Sequence, residues 1–429
     1  MKKSYWGALL ALLLVGTMLF GCVAATAAPA GSGSRVGRSG SSDTSTTGAG
    51  ATAEADTTAM AQASNELNWK LYNELFSDKD NTFYSSYSIE SCFAMMDAGA
   101  KNNTKKQMEQ VLGIKDIDTF LQQYNAYRSK DRADTCKLNV ANGLWINTNK
   151  LDKKSVNQQY IANMQKYMGA KVKAEPFTAA TGREITAFVN QATEGFMPDY
   201  KSIVKDSNAM DLLNAIYFDG KWRTPFSPDD TYKQDFYGTK KTKKTDMMHL
   251  YGKRFQYYEG QQFRAVNLPY KGDMVMTLIL PTGSNNKGVA SSWKKLSAKD
   301  KDAFLDSLDK SGSKKITELA LPKFKDDITE TRLPDVMQKL GMTDAFTGRA
   351  DFSGIANSLC IENVNHRAKV EVNEQGTKAA AVTEANMMMT SAAPVREEII
   401  NFICDHPFLY LIRDRTNGLV LFTGVMNQI

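Results

Sequence analysis

The sequence predicts an α+β fold, and three observations carry the prediction. Amphipathic helical stripes gather in the first third of the chain. Apolar runs bounded by turn residues dominate the remainder, without the strand–helix alternation of a parallel α/β protein. A hairpin signal, Asn417-Gly418 between apolar runs at 408–412 and 419–423, closes the carboxyl end. Of the 429 residues, 42% are apolar and 23% charged, a globular composition with ample material for a large core. A fibrous or wholly disordered chain is excluded.

The amino terminus has the pattern of an export signal. Lys2 and Lys3 precede an apolar run at 6–20, which is short for a membrane span. The run ends in Leu19-Phe20-Gly21-Cys22, similar to a bacterial lipobox apart from the bulky Phe20. Lipidation of Cys22 is therefore expected, with cleavage near Ala25-Thr26-Ala27 as the alternative. Residues 1–21 form the signal peptide and residues 22–59, mostly Gly, Ser, Thr and Ala, a tether that buries too little apolar surface to fold. The expected location is the cell envelope, through the lipid anchor, or the exterior. Net charge is +6, about +4 without Lys2 and Lys3, too mild to argue for a nucleic-acid partner. His249, His366 and His406 are far apart, so neither a metal site nor a cofactor is expected. Cys92, Cys136, Cys360 and Cys404 form no CxxC and read as buried small hydrophobes, with one disulfide left open.

Residues 60–429 show no second linker or repeat, so they form one mixed domain. Ile89, Cys92, Phe93 and Met96 follow the i, i+3, i+4, i+7 stripe of a helix, as do Ile185, Phe188, Val189 and Ala192. Thr104-Lys105-Lys106-Gln107 has the form of a capping box, with Gly113 ending the helix. Strands are expected at 212–218, 265–270 and 274–280. The basic run 240–244 reads as a solvated hairpin, with a polyanion site as its rival.

One stretch breaks the local rules. After the alternating Val370-Glu371-Val372, the chain from Asn373 to Pro394 is longer than an ordinary connection and holds three consecutive methionines, Met387 to Met389. Its odd positions, Thr377, Ala379, Ala381, Thr383, Ala385 and Met387, are all uncharged. The even positions Lys378 and Glu384 carry the charges. Residues two apart in a strand share a face, so one face could be buried in a sheet and the other left in water. An Ala-rich linker or short helix fits the composition equally well.

Several ordered motifs resemble the serpin family over nearly all of 60–429. They are Ser88-Ile89 with Met95, Gly99, Ala100, Thr104 and Gln107, then the run from Asn214 to Trp222 with Pro225-Phe226. Leu268-Pro269-Tyr270, Leu321-Pro322-Lys323-Phe324, Leu340-Gly341-Met342, Ala350-Asp351-Phe352-Ser353 and His406-Pro407-Phe408 follow in the family's order. Each tripeptide is weak alone; the ordered set is specific. The resemblance implies three β-sheets, about nine helices and an exposed reactive-centre loop. It also implies a monomeric suicide inhibitor, not an enzyme. A serine or cysteine protease attacks the loop and forms an acyl-enzyme, and the cleaved loop inserts as a strand that drags the protease along.

The resemblance assigns the hinge to Glu374, Gly376, Thr377, Ala379, Ala380 and Ala381. It assigns the polar cluster where the sheet opens to Ser85, Ser88, Asn214 and His366, and the aromatic at the sheet's top to Trp222. Ser86 and Asp219 depart from the family's usual Pro and Lys. Counting sixteen residues from Glu374 places the attacked bond at Thr390–Ser391, with Met389–Thr390 beside it. The carboxyl-side count pulls toward Ala393 or Arg396. An uncharged residue there implies a target with an apolar primary pocket, elastase-like or subtilisin-like. The rivals are a non-inhibitory carrier or chaperone of the same fold and a lipoprotein binding module. No G-x-S-x-G elbow or P-loop favours an enzyme.

Overall fold

The computed structural model describes residues 56–132, 135–198, 200–202, 204–282, 288–362, 364, 366–377 and 398–429. Among them are nine α-helices. In chain order these are α1 (Thr58–Leu75), α2 (Ser86–Asp97), α3 (Asn102–Leu112), α4 (Ile117–Arg128) and α5 (Gln158–Met168). They continue with α6 (Ala179–Ala192), α7 (Val289–Lys295), α8 (Ala298–Lys310) and α9 (Leu333–Leu340). The strands are β1 (Thr82–Tyr84), β2 (Cys136–Asn147), β3 (Lys171–Glu175), β4 (Met210–Lys221), β5 (Thr231–Tyr237), β6 (Thr242–Glu259), β7 (Phe263–Pro269) and β8 (Met274–Pro281). Then come β9 (Ser313–Pro322), β10 (Phe324–Glu330), β11 (His366–Asn373), β12 (Gly376–Thr377), β13 (Asn401–Ile403), β14 (Phe408–Asp414) and β15 (Val420–Met426).

Six strands form one sheet in the order β10-β11-β12-β4-β2-β3. The other nine run β1-β15-β14-β8-β7-β6-β9-β13, with β5 also on β6. The expected three sheets are present because two of them share β6. Its first part pairs β5 and β9, and residues Gln256 to Glu259 pair β7. The ladder with β9 skips Gly252, whose φ of 64° lies in the left-handed region that favours glycine.

The predicted strands coincide with observed ones to within one residue: 265–270 runs one past β7 and 419–423 starts one before β15. β14 and β15 are buried at every position, which is why they read as continuous apolar runs, covered on both faces. Gly418 turns between them at φ 74°. The stripe Ile89, Phe93 and Met96 lies in α2, which packs against α1, β4 and β15 and is buried nearly all round. Ile185 and Val189 are buried in α6. The basic run sits exposed on the β5–β6 hairpin, where Lys240 pairs with Asp80 and Lys244 lies 3.8 Å from Asp235.

Two readings need correction. Thr104 is not a cap, because α3 begins at Asn102. Instead its Oγ1 accepts from the Asp351 amide at 2.9 Å, and Gln107 Oε1 accepts from the amides of Thr343 and Asp344 at 2.9 and 2.8 Å. These side chains staple the helix to a distant loop, a partner invisible in local sequence. The cysteines are not uniformly buried: Cys136 and Cys404 are, Cys92 is half-buried and Cys360 is exposed, all four as free thiols.

Candidate functional site at the mouth of the six-stranded sheet

The two residues of β12 occupy a place that only a very thin strand can fill. Gly376 and Thr377 pair with Asn373 and Val372 of β11 on one side and with Lys221 and Gly220 of β4 on the other. A Cβ on Gly376 would stand 2.1 Å from the Gly220 carbonyl oxygen, and one on Gly220 would strike the rings of Phe218 and Tyr270. The glycine pair lets three strands meet at this point. Below it, among the described residues, β4 and β11 share no ladder, so each presents an unpaired edge to the other.

The seat is held by named contacts. Thr377 is buried, and its hydroxyl lies 2.6 Å from that of Tyr270. The Trp222 ring stacks on Tyr270 at 4.4 Å, and its Nε1 donates to the Asn373 carbonyl at 3.0 Å. The amides of Trp222 and Phe226 donate to the carbonyls of Gln375 and Glu374, both at 2.9 Å. The Glu374 carboxylate accepts from Lys323 Nζ at 3.0 Å.

A second cluster spans the gap lower down. Ser85 caps α2, its Oγ accepting from the Ser88 amide at 3.1 Å, while its own amide donates to His366 Nε2 on β11 at 3.0 Å. That bond requires a neutral imidazole, and burial pushes the His366 pKa down to about 4, with Glu330 opposing. Ser88 Oγ donates to Asn214 Oδ1 on β4; Asn214 Nδ2 donates to Asn142 Oδ1 on β2 at 2.7 Å. Asn142 in turn donates to the Tyr124 hydroxyl and the Met168 carbonyl, at 3.1 and 2.7 Å. A hydrogen-bonded chain thus runs from β11 through α2 to β4 and β2. It borders a cavity of about 980 Å³ whose wall includes Ser88, Cys92, Asn214 and His366.

The structure therefore brings Ser85, Ser88, Asn214 and His366 together, and separately Glu374, Gly376, Thr377 and Trp222. Ala379, Ala380, Ala381, Met389, Thr390, Ser391 and Cys22 lie outside the described residues. Sequence reasoning missed Asn142, Gly220, Lys323 and the bond from Tyr270. The Asn142 signal is register: it stands directly opposite Asn214.

The family model described as Serpin (serine protease inhibitor) matches residues 62–429. An uncharacterized serpin-like protein of Thermococcus kodakarensis is 31% identical over 385 residues, 87% of this chain and 86% of the relative. The leukocyte elastase inhibitor of Xenopus laevis is 32% identical, covering 80% of this chain and 92% of its own. Among solved structures, the thermophilic serpin tengpin in its native state superimposes with a TM-score of 0.76 at 25% identity, over 86% of this chain and 94% of that one. A two-residue strand seated between two unpaired sheet edges, in a chain so matched along its folded length, leaves one assignment: the chain belongs to the serpin family.

Proposed function

We propose that this protein inhibits a serine protease as a suicide substrate. One observation carries the reading: β12 already begins a strand in the gap between β4 and β11. The residues after Thr377 have the odd-position pattern needed to continue it, with Ala379 and Ala381 on the face of Thr377. Cleavage beyond the hinge frees that segment to extend the strand downward. Each added residue then pairs backbone groups that were waiting on both edges, and the acyl-linked protease is carried with it. The polar chain from His366 to Asn142 lies along this route, so its bonds rearrange as the sheet opens.

The reactive bond in this reading is Thr390–Ser391, or Met389–Thr390. Either presents an uncharged side chain flanked by methionine, which suits a protease with an apolar primary pocket. The same reading places the domain outside the cytoplasm, tethered through Cys22. Incubation with an elastase-like or subtilisin-like protease tests it. The expected result is a complex that survives denaturing electrophoresis, with release of a carboxyl-terminal peptide beginning at Ser391 or Thr390 by mass spectrometry. Cleavage at that bond with full turnover and no complex overturns inhibition. A stable complex cut at Arg396 overturns the bond and the specificity.

A further inference from the structure

Beside the hinge, four basic residues lie on adjoining backbone where three chain segments end. Lys221 closes β4 and Arg223 follows it; Lys271 lies in the turn between β7 and β8; Arg415 follows β14. Backbone bonds hold these segments together. The Arg223 amide donates to the Pro269 carbonyl at 2.8 Å, the Lys271 amide to the Lys221 carbonyl at 2.8 Å, and the Arg415 amide to the Asp273 carbonyl at 3.2 Å. The result is a pocket of about 210 Å³ walled by Arg223, Gly272, Asp273, Arg415 and Thr416.

Charge here is poorly compensated. Among the described residues, Lys221, Arg223 and Lys271 have no carboxylate within salt-bridge distance, unlike the lysines of the β5–β6 hairpin. Arg415 Nε comes no closer than 3.9 Å to Asp309, whose two oxygens are already taken by Arg413 at 2.8 and 2.9 Å. The Arg223 side chain is not loose: its Nη2 donates to the Gly272 carbonyl at 2.7 Å, leaving the rest of the planar fork for a ligand. The single acid on the wall is Asp273.

We propose that this pocket binds inorganic phosphate. The Arg223 and Arg415 guanidinium forks can each pair with two oxygens of a tetrahedral oxyanion, and the positive charges of Lys221 and Lys271 on the adjoining backbone raise the local potential. Asp273 sets the choice among oxyanions. A carboxylate only accepts hydrogen bonds, so it repels an anion that has no proton. Phosphate near neutral pH carries a proton and can donate it to Asp273; sulfate has none to give. The site selects phosphate over sulfate for that reason.

The test is binding by the full chain, and it does not depend on inhibition. Titration calorimetry with inorganic phosphate and with sulfate should show phosphate at least tenfold tighter. Arg223→Gln with Arg415→Gln should weaken phosphate binding at least tenfold. Asp273→Asn should bring sulfate to within about twofold of phosphate. Lys241→Ala with Lys243→Ala, on the exposed hairpin, should change nothing. The substituted side chains are exposed, and an unchanged melting midpoint without phosphate confirms the fold; Arg223→Lys with Arg415→Lys, which keeps the charge and loses the forks, should bind with intermediate affinity. Vesicles bearing an anionic phospholipid, whose phosphodiester has no proton to give Asp273, should not displace inorganic phosphate from the pocket; displacement of phosphate by such vesicles overturns the choice by Asp273. Absence of phosphate binding by the wild-type chain, loss in the hairpin variant, or equal affinity for sulfate overturns the proposal.

Discussion

The hydroxyl groups of Tyr270 and Thr377 lie 2.6 Å apart in a fully buried setting, joining the turn after β7 to the first seated residue of the reactive-loop hinge. Trp222 covers this pair by stacking on Tyr270, so the bond is made where water cannot compete. Tyr270→Phe removes one partner and leaves the Thr377 hydroxyl buried without it. A loss of about 1–3 kcal/mol in unfolding free energy is expected, read as a lower denaturation midpoint. An unchanged midpoint means that Thr377 is not held there in solution.

The glycine at the hinge is tested by its missing Cβ. Gly376→Val places atoms against the Gly220 carbonyl oxygen, only 2.1 Å from the Cβ position, so β12 must leave its seat. Hydrogen exchange then reports the result directly. The amides of Trp222 and Phe226, which donate to Gln375 and Glu374, should lose protection while those of β14 and β15 keep theirs.

Thr377→Arg addresses insertion. Thr377 faces inward at 3% exposure, and burying an unpaired guanidinium there costs several kcal/mol. The variant should still be cleaved by its protease, but as a substrate, with the covalent complex lost. Undiminished trapping by the Arg variant would falsify the insertion reading.

Stability should vary with pH through α2. Asp97 is fully buried near its carboxyl end, and neither carboxylate oxygen has a hydrogen-bond partner among the described residues. Burial pushes its pKa up to about 7, with Lys105 lowering and Glu109 raising it. The unfolded chain ionises Asp97 near pH 4, so the native state is penalised above pH 7 and relieved as pH falls from 7 toward 4. Glu90, buried on the same helix seven residues earlier, is shifted upward for the same cause, desolvation. His366 opposes them: with its pKa held down to about 4, stability is lost as pH falls from 6.5 through 4. Asp97→Asn should therefore exceed wild type at pH 8 by about 2–4 kcal/mol, the difference vanishing by pH 4. Thermal melts across that range check it, and an Asn variant less stable than wild type at pH 8 refutes it.

What could be read from sequence alone is what short spacing controls. The stripe of Ile89, Phe93 and Met96 requires a helix with that face buried, Asn417-Gly418 requires a turn between two apolar strands, and Gly113 ends a helix at φ 76°. The parity of Thr377, Ala379 and Ala381 marks one face as fit for burial, because strand geometry has a period of two whatever surrounds it. The cluster residues and the hinge were located only through family resemblance, since no local rule singles out Ser85 or His366. Tertiary structure decided the rest. It made Thr104 and Gln107 staples instead of a capping box, set Asn142 opposite Asn214, brought Gly220 against Gly376, and left Asp97 buried without a hydrogen-bond partner among the described residues. Each of these depends on which groups meet across tens to hundreds of residues. Packing selects those meetings by excluding water and filling space, and neither condition is written in any short window of the chain.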